Sequence, residues 1–149
     1  MKVLVVYDSL YGHTAQIAKA IGGAITGEIK ILPAGEVGPS DLEVLDLLIA
    51  GAPTQAARPS PPMKDFLENL PKTAVEGINV AAFDTRMTTR WLKIIGYAAG
   101  KIGKALKKKG GNLLLKAEPF YVTGGKGPLK EGELERAAQW AKQVIESAG

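Results

Sequence analysis

Cysteine is absent from the 149 residues, histidine occurs once, and no apolar run approaches the ~20 residues a membrane-spanning helix needs. The first absence excludes disulfides, thiolate metal sites and cysteine nucleophiles; the single His13 cannot form a histidine metal cluster. The apolar run that follows Lys2 is too short for a signal-peptide core, so a cytoplasmic protein without membrane partners is expected. Aromatic residues are few, at 6%, and none interleaves the lysines, which argues against nucleic acid as a partner. Acidic residues are outnumbered, 15 against 19 basic, giving a formal charge of +4. Much of the excess lies in Lys101, Lys104, Lys107, Lys108 and Lys109 at one predicted helix end, where cations complement the helix dipole. That cluster reads as a solvated face, with an acidic partner or nucleic acid as the sharper alternative.

What is present is regular alternation, in a chain whose length fits one domain spanning residues 1–149. Val3 to Tyr7, Leu45 to Ala50 and Ile78 to Phe83 are short apolar runs of the kind found in parallel strands buried on both faces. Glu28 to Leu32 is a weaker strand. Asn112 to Val122 is a longer one, with Pro119 predicting a bend or an edge position. Between them lie amphipathic helix patterns over Thr14 to Ile25, Pro61 to Leu70, Trp91 to Lys109 and Glu133 to Ala148, and a very short capped helix starts at Ser40-Asp41-Leu42-Glu43. Five β-α repeats predict an α/β, doubly wound parallel sheet with the ligand site outside the carboxyl ends of its strands. Gly96, Gly100 and Gly103 recur along the lysine-rich helix. They imply either close approach to the sheet or a neighbouring helix, or a homodimer contact.

The segment Asp8 to Thr14, DSLYGHT, leaves the first strand and enters the first helix. Unpaired N–H groups and the positive helix dipole favour an anion there. Ser9 and Thr14 add hydroxyls, Gly12 permits close backbone approach, and a phosphate monoester fits. Capping without a ligand is the plainer alternative. The segment is neither a dinucleotide fingerprint nor a Walker sequence.

Ser9-Leu10-Tyr11-Gly12-His13-Thr14 resembles the T/S-x-T-G-x-T phosphate loop of flavodoxin-like FMN proteins, with Tyr11 where threonine is usual. Its S-x-Y-G-H is similar to that of the flavodoxin-like NAD(P)H:quinone oxidoreductases of the tryptophan-repressor-binding-protein family. Gly51-Ala52-Pro53-Thr54 resembles the G-x-P-T of the same proteins. The resemblance implies a five-stranded sheet in the order 2-1-3-4-5 with helices on both faces, and FMN as cofactor. It implies a phosphate held at Ser9 through Thr14, an isoalloxazine ring beside Pro53, Thr54 and Gln55, and a third loop supplying Asp84, Thr85 and Arg86. It further implies electron transfer or a small quinone-type flavin reductase, with a redox partner or a small-molecule electron acceptor. The second loop, Pro53 to Pro62, lacks the family's aromatic clamp, and the third, Phe83 to Trp91, lacks its glycine-rich or acidic-aromatic runs. Flavodoxins are also usually acidic, whereas this chain is basic. A non-redox module that binds another phosphorylated ligand or a protein therefore remains the alternative.

Several residues carry two readings. Trp91 either contacts the ring or packs on its neighbours, and Tyr11 either covers the ribityl chain or lends only its N–H. His13 either donates to the phosphate or simply occupies the first helical turn, and Arg58 reads as a solvated loop residue rather than an anion ligand. Arg86, with Arg90, either reaches the ring or, for Arg86, pairs with Asp84. Thr123-Gly124-Gly125-Lys126-Gly127-Pro128 reads as a flexible loop on the cofactor side.

Overall fold

The computed structural model describes residues 1–54, 58–87, 97–124 and 126–149. The chain runs β1 (Lys2–Tyr7), α1 (His13–Gly23), β2 (Glu28–Pro33), β3 (Leu47–Pro53), α2 (Pro61–Asn69), a single turn α3 (Lys72–Val75), β4 (Asn79–Arg86), α4 (Ala98–Lys108), β5 (Asn112–Leu113), β6 (Glu118–Tyr121) and α5 (Glu133–Ala148). All pairing within the sheet is parallel, in the order β2-β1-β3-β4-β5, and β6 continues beside β4 along the edge that β5 begins. The expected order 2-1-3-4-5 is therefore found, with its last strand in two pieces.

The last strand breaks before Pro119 rather than at it. Val80 faces Leu113 and Phe83 faces Glu118, so the residues between Leu113 and Glu118 bulge away from β4. Pro119 itself pairs opposite Asp84 on an edge strand, where its missing N–H can face away from the ladder.

Alternation along each strand sorts the core into two layers. Val3, Val5, Leu47 and Ile49 pack with Ile17, Ala18, Ala137 and Trp140 under α1 and α5. Leu4, Val6, Leu48 and Ala50 pack with Met63, Leu67, Ile102 and Leu106 under α2 and α4. Phe83, Phe120 and Trp140 meet edge-to-face with centroids 6.0 to 6.2 Å apart, tying α5 to the end of the sheet where the last strand resumes.

One expectation needs correction and two take a definite form. The helix predicted from Trp91 to Lys109 is not continuous: Tyr97 is extended (φ −139, ψ 163) and α4 starts at Ala98, while Trp91 and Gly96 lie outside the described residues. The very short capped helix expected at Ser40 is present as a 3-10 helix, Pro39–Leu42. There Asp41 accepts the Gly38 N–H at 2.8 Å and the Lys30 ammonium at 2.6 Å, which together hold its carboxyl below the usual carboxylate range. Of the recurring glycines, Gly103 packs against the sheet, meeting Leu113 and Ala82 at 3.6 and 3.8 Å, whereas among the described residues nothing lies within 4 Å of a Cβ added at Gly100.

Two residues give tests of this architecture. Glu133 opens α5 and is only 7% exposed; it accepts the Tyr121 N–H at 2.7 Å and the Arg136 guanidinium at 2.8 Å. Burial opposes its charge, but the Arg136 and Tyr121 hydrogen bonds outweigh burial and hold its carboxyl below the usual range. A depressed carboxylate stabilises the fold above its unfolded pKa and loses that contribution as pH falls. Glu133→Gln should therefore be less stable than wild type at pH 7, and the difference should close below about pH 4.3, as read by urea unfolding across pH. Val44 has φ 53 and is 89% exposed, a left-handed backbone under a β-branched side chain. Val44→Gly should raise stability by roughly 1 kcal/mol, measured by thermal unfolding.

Candidate functional site

β1, β3 and β4 end side by side at the carboxyl edge of the sheet, and the segments leaving them form the site. Asp8, just past β1, donates its N–H to Gly51 O at 3.1 Å, joining the first two loops. Gly12 precedes α1 in the left-handed region (φ 90), which permits the turn into the helix; a Cβ there would meet no atom within 4 Å. Ser9 Oγ accepts the Ala15 N–H at 3.3 Å. The N–H groups of His13 and Thr14 meet no acceptor among the described residues. No acidic side chain stands in the first turn of α1, whereas Glu133 and Glu135 occupy that of α5. The start of α1 thus keeps its positive end, with donors and open space for an anion.

Thr14 is buried, and its Oγ1 lies 2.8 Å from Thr85 Oγ1 across the gap between α1 and β4. A hydroxyl pair uses one of its two hydrogens, so one remains to donate. His13 Nε2 lies 2.6 Å from Lys126 O, and a Cβ on Gly127 would fall 2.1 Å from that nitrogen. In the stretch Thr123 to Pro128, of which Gly125 lies outside the described residues, Thr123 N–H bonds Pro128 O at 2.8 Å and Gly127 packs on His13, while Val122 bridges Leu129. Leu10 and Tyr11 stand half exposed at the rim.

Gly51 of the G-x-P-T segment is dictated by the core, since a Cβ there would fall 2.2 Å from the ring of Phe83, its register partner on β4. Thr54 continues past β3, its N–H bonded to Thr85 O at 3.0 Å. Its hydroxyl donates to Asp84 Oδ2 at 3.1 Å and accepts the Ala98 N–H at 3.1 Å, so that side chain turns toward the start of α4. Pro53 lies at the end of β3 opposite Thr85, and Gln55 lies outside the described residues.

Asp84 is fully buried. Arg86 grips it with two bonds, Nε to Oδ1 at 2.8 Å and Nη2 to Oδ2 at 2.7 Å, and the Ala99 N–H reaches Oδ2 at 2.9 Å. The Arg86 guanidinium also lies over the Tyr97 ring, 3.4 Å from its centroid, and its side chain is only 12% exposed. Of the two readings of Arg86, the structure shows the pairing with Asp84; Arg90 lies outside the described residues. Tyr97 was missed as a site residue because its place in an apolar helical stripe hides the break at the start of α4. Arg58 lines a surface groove with Lys64 and Lys101 beside α2 and α4. Among the described residues there is no cluster able to hold a metal ion, and no helix is long and apolar enough to cross a membrane.

A doubly wound parallel sheet with a left-handed glycine turn after its first strand and two segments meeting beyond β3 and β4 belongs to the open α/β proteins, whose ligands lie outside the carboxyl ends of the strands. The flavodoxin domain model matches residues 4–109, and the chain belongs to that family. Solved structures agree on the fold. A flavodoxin from the domain Archaea superposes with a TM-score of 0.84 at 20% identity, covering 99% of each chain. A WrbA-like flavodoxin from Agrobacterium tumefaciens gives 0.77 at 23%, covering 99% of this chain and 96% of that one. The rubredoxin oxygen:oxidoreductase of Desulfovibrio gigas gives 0.77 at 17%, covering 99% of this chain and 36% of that one. No curated protein sequence matches the chain.

Removing one partner of a buried, hydrogen-bonded ion pair leaves the other uncompensated, at a cost of about 3 to 5 kcal/mol. Asp84→Ala should lose stability in that range in urea unfolding, and Asp84→Ala with Arg86→Met should recover part of the loss. A loss below about 1 kcal/mol would mean that the carboxylate does not hold these loops together.

Proposed function

We propose that this protein binds FMN and works as an electron-transfer flavoprotein. The observation that carries the reading is the start of α1: a left-handed Gly12, N–H groups of His13 and Thr14 that meet no acceptor among the described residues, and no acidic side chain in the first turn. A phosphate monoester fits that donor set, with Ser9 ordering the turn and Thr14 supplying a hydroxyl. FMN, when bound, supplies a ring that accepts and returns electrons. The protein's own contribution is to anchor the phosphate at Ser9–Thr14 and to fix the ring's walls, Pro53 and Thr54 on one side and the segment after Arg86 on the other. Gln55 belongs to the same wall in this reading.

Two-electron quinone reduction would gain from a free cation beside the ring. Arg86 is the described residue nearest in sequence to that role, yet its charge is matched in place by Asp84. That favours the carrier over a quinone-type reductase. The S-x-Y-G-H motif supports the reductase as the second reading.

The test is a titration of apoprotein. FMN should bind and colour the protein yellow, riboflavin should bind far more weakly, and Thr14→Ala should weaken FMN by roughly tenfold or more through loss of a hydrogen bond to a charged group. Equal affinity for FMN and riboflavin would remove the phosphate from this site, and a colourless protein that takes up neither would return it to the non-redox alternative.

A further inference from the structure

Helix α4 contains four lysines and no acidic residue. Along one side of it runs an open groove of about 670 Å³ that starts at Arg86 and Tyr97, on the carboxyl edge of the sheet, and continues to Lys107. Lys104, Lys107 and Lys116 stand on it, all exposed and none in an ion pair among the described residues. Its one acidic lining residue, Glu118, is already engaged by Arg136 at 3.6 Å. Between the lysines the floor is apolar and low, formed by Gly100, Leu113 and Ala117, the last reached because the final strand bulges between its two pieces. Gly100 costs α4 about 1 kcal/mol relative to alanine. Among the described residues nothing lies within 4 Å of a Cβ added there, so the surface beside it is open to a second molecule.

We propose that this groove is the docking surface for an acidic electron-transfer protein. The inference rests on the FMN reading only for the partner's redox character; the surface itself is defined by its charge and shape. An apolar centre rimmed by charge is the anatomy of a protein interface. A complementary acidic face would be steered to it and oriented by the lysines. Nucleic acid fits less well: three lysines neutralise few phosphates, and the Tyr97 ring that a base would stack on is covered by Arg86. A second copy of this chain fits worst, since it would set one lysine rim against another. The upper end of the groove meets the carboxyl edge of the sheet, which brings a docked partner to the side where the proposed cofactor lies.

The probe is an acidic plant-type [2Fe–2S] ferredoxin, titrated calorimetrically into flavin-loaded protein at low salt, with basic cytochrome c and a short DNA duplex in parallel. The ferredoxin should bind, the cytochrome should not, and Lys104→Glu/Lys107→Glu/Lys116→Glu should weaken the ferredoxin by ~10-fold or more while leaving FMN affinity unchanged. Unchanged ferredoxin affinity in the triple variant, or equal binding of the cytochrome, overturns the proposal. Tighter, lysine-dependent binding of the duplex overturns it in favour of nucleic acid. A dimer in sedimentation velocity that the triple variant abolishes overturns it in favour of self-association. If the wild type takes up no flavin yet binds ferredoxin through these lysines, the docking surface stands and the FMN reading falls.

Discussion

A fully buried carboxylate at the carboxyl edge of the sheet is the constraint on which the site depends. Asp84 has no water to solvate it, so every lone pair it presents needs a donor from the chain. The donors come from three separate places: Thr54 beyond β3, Arg86 on β4 itself, and the Ala99 N–H at the start of α4. Thr54 in turn accepts the Ala98 N–H, so the first two N–H groups of α4 are satisfied by residues of the sheet edge. Satisfying one charge fixes the exit of β3, the exit of β4 and the position of α4 together. A helix start also favours a negative charge, which lowers the cost of burying this one.

The next residue along β4 does the same on the opposite face. Strand alternation turns Thr85 away from Asp84 and toward α1, where it meets Thr14. Consecutive residues at the end of β4 therefore tie the strand to two places at once, Asp84 to Thr54 and the start of α4, and Thr85 to the first turn of α1. The His13 contact with Lys126 adds a third segment to the cradle, from beyond β6. The turn into α1 and the exits of β3 and β4 are thus parts of one hydrogen-bonded edge, and a shift in β4 would move both.

The sequence carried the local parts of this and missed the non-local ones. Apolar runs such as Val3–Tyr7 and the helical periodicity of Glu133–Ala148 are written in adjacent residues, and the turn from Asp8 to Thr14 shows its hydroxyls and glycine in a single stretch. α3 is one turn long and has no period to read. The break at Tyr97 was hidden because the apolar stripe continues through it; only the partner of the Ala98 and Ala99 N–H groups, Asp84 and Thr54 from other strands, shows where α4 must begin. The glycine of G-x-P-T looks like a ligand-loop residue in sequence, yet the ring of Phe83 on the neighbouring strand dictates it. The Thr14–Thr85 pair joins residues 71 positions apart, a separation at which no spacing argument operates.

The same non-local pairing separates two electrostatic roles that composition merges into one positive charge. Arg86 lies within the edge network and is matched by Asp84 at 2.7 Å, so at any distance beyond the pair its field largely cancels. Lys104, Lys107 and Lys116 are exposed and in no ion pair among the described residues, and their field reaches outward until salt screens it, within about 8 Å at physiological ionic strength. A compensated charge inside the edge organises backbone, whereas an exposed basic rim outside it is the part of the chain's charge that a second molecule can meet.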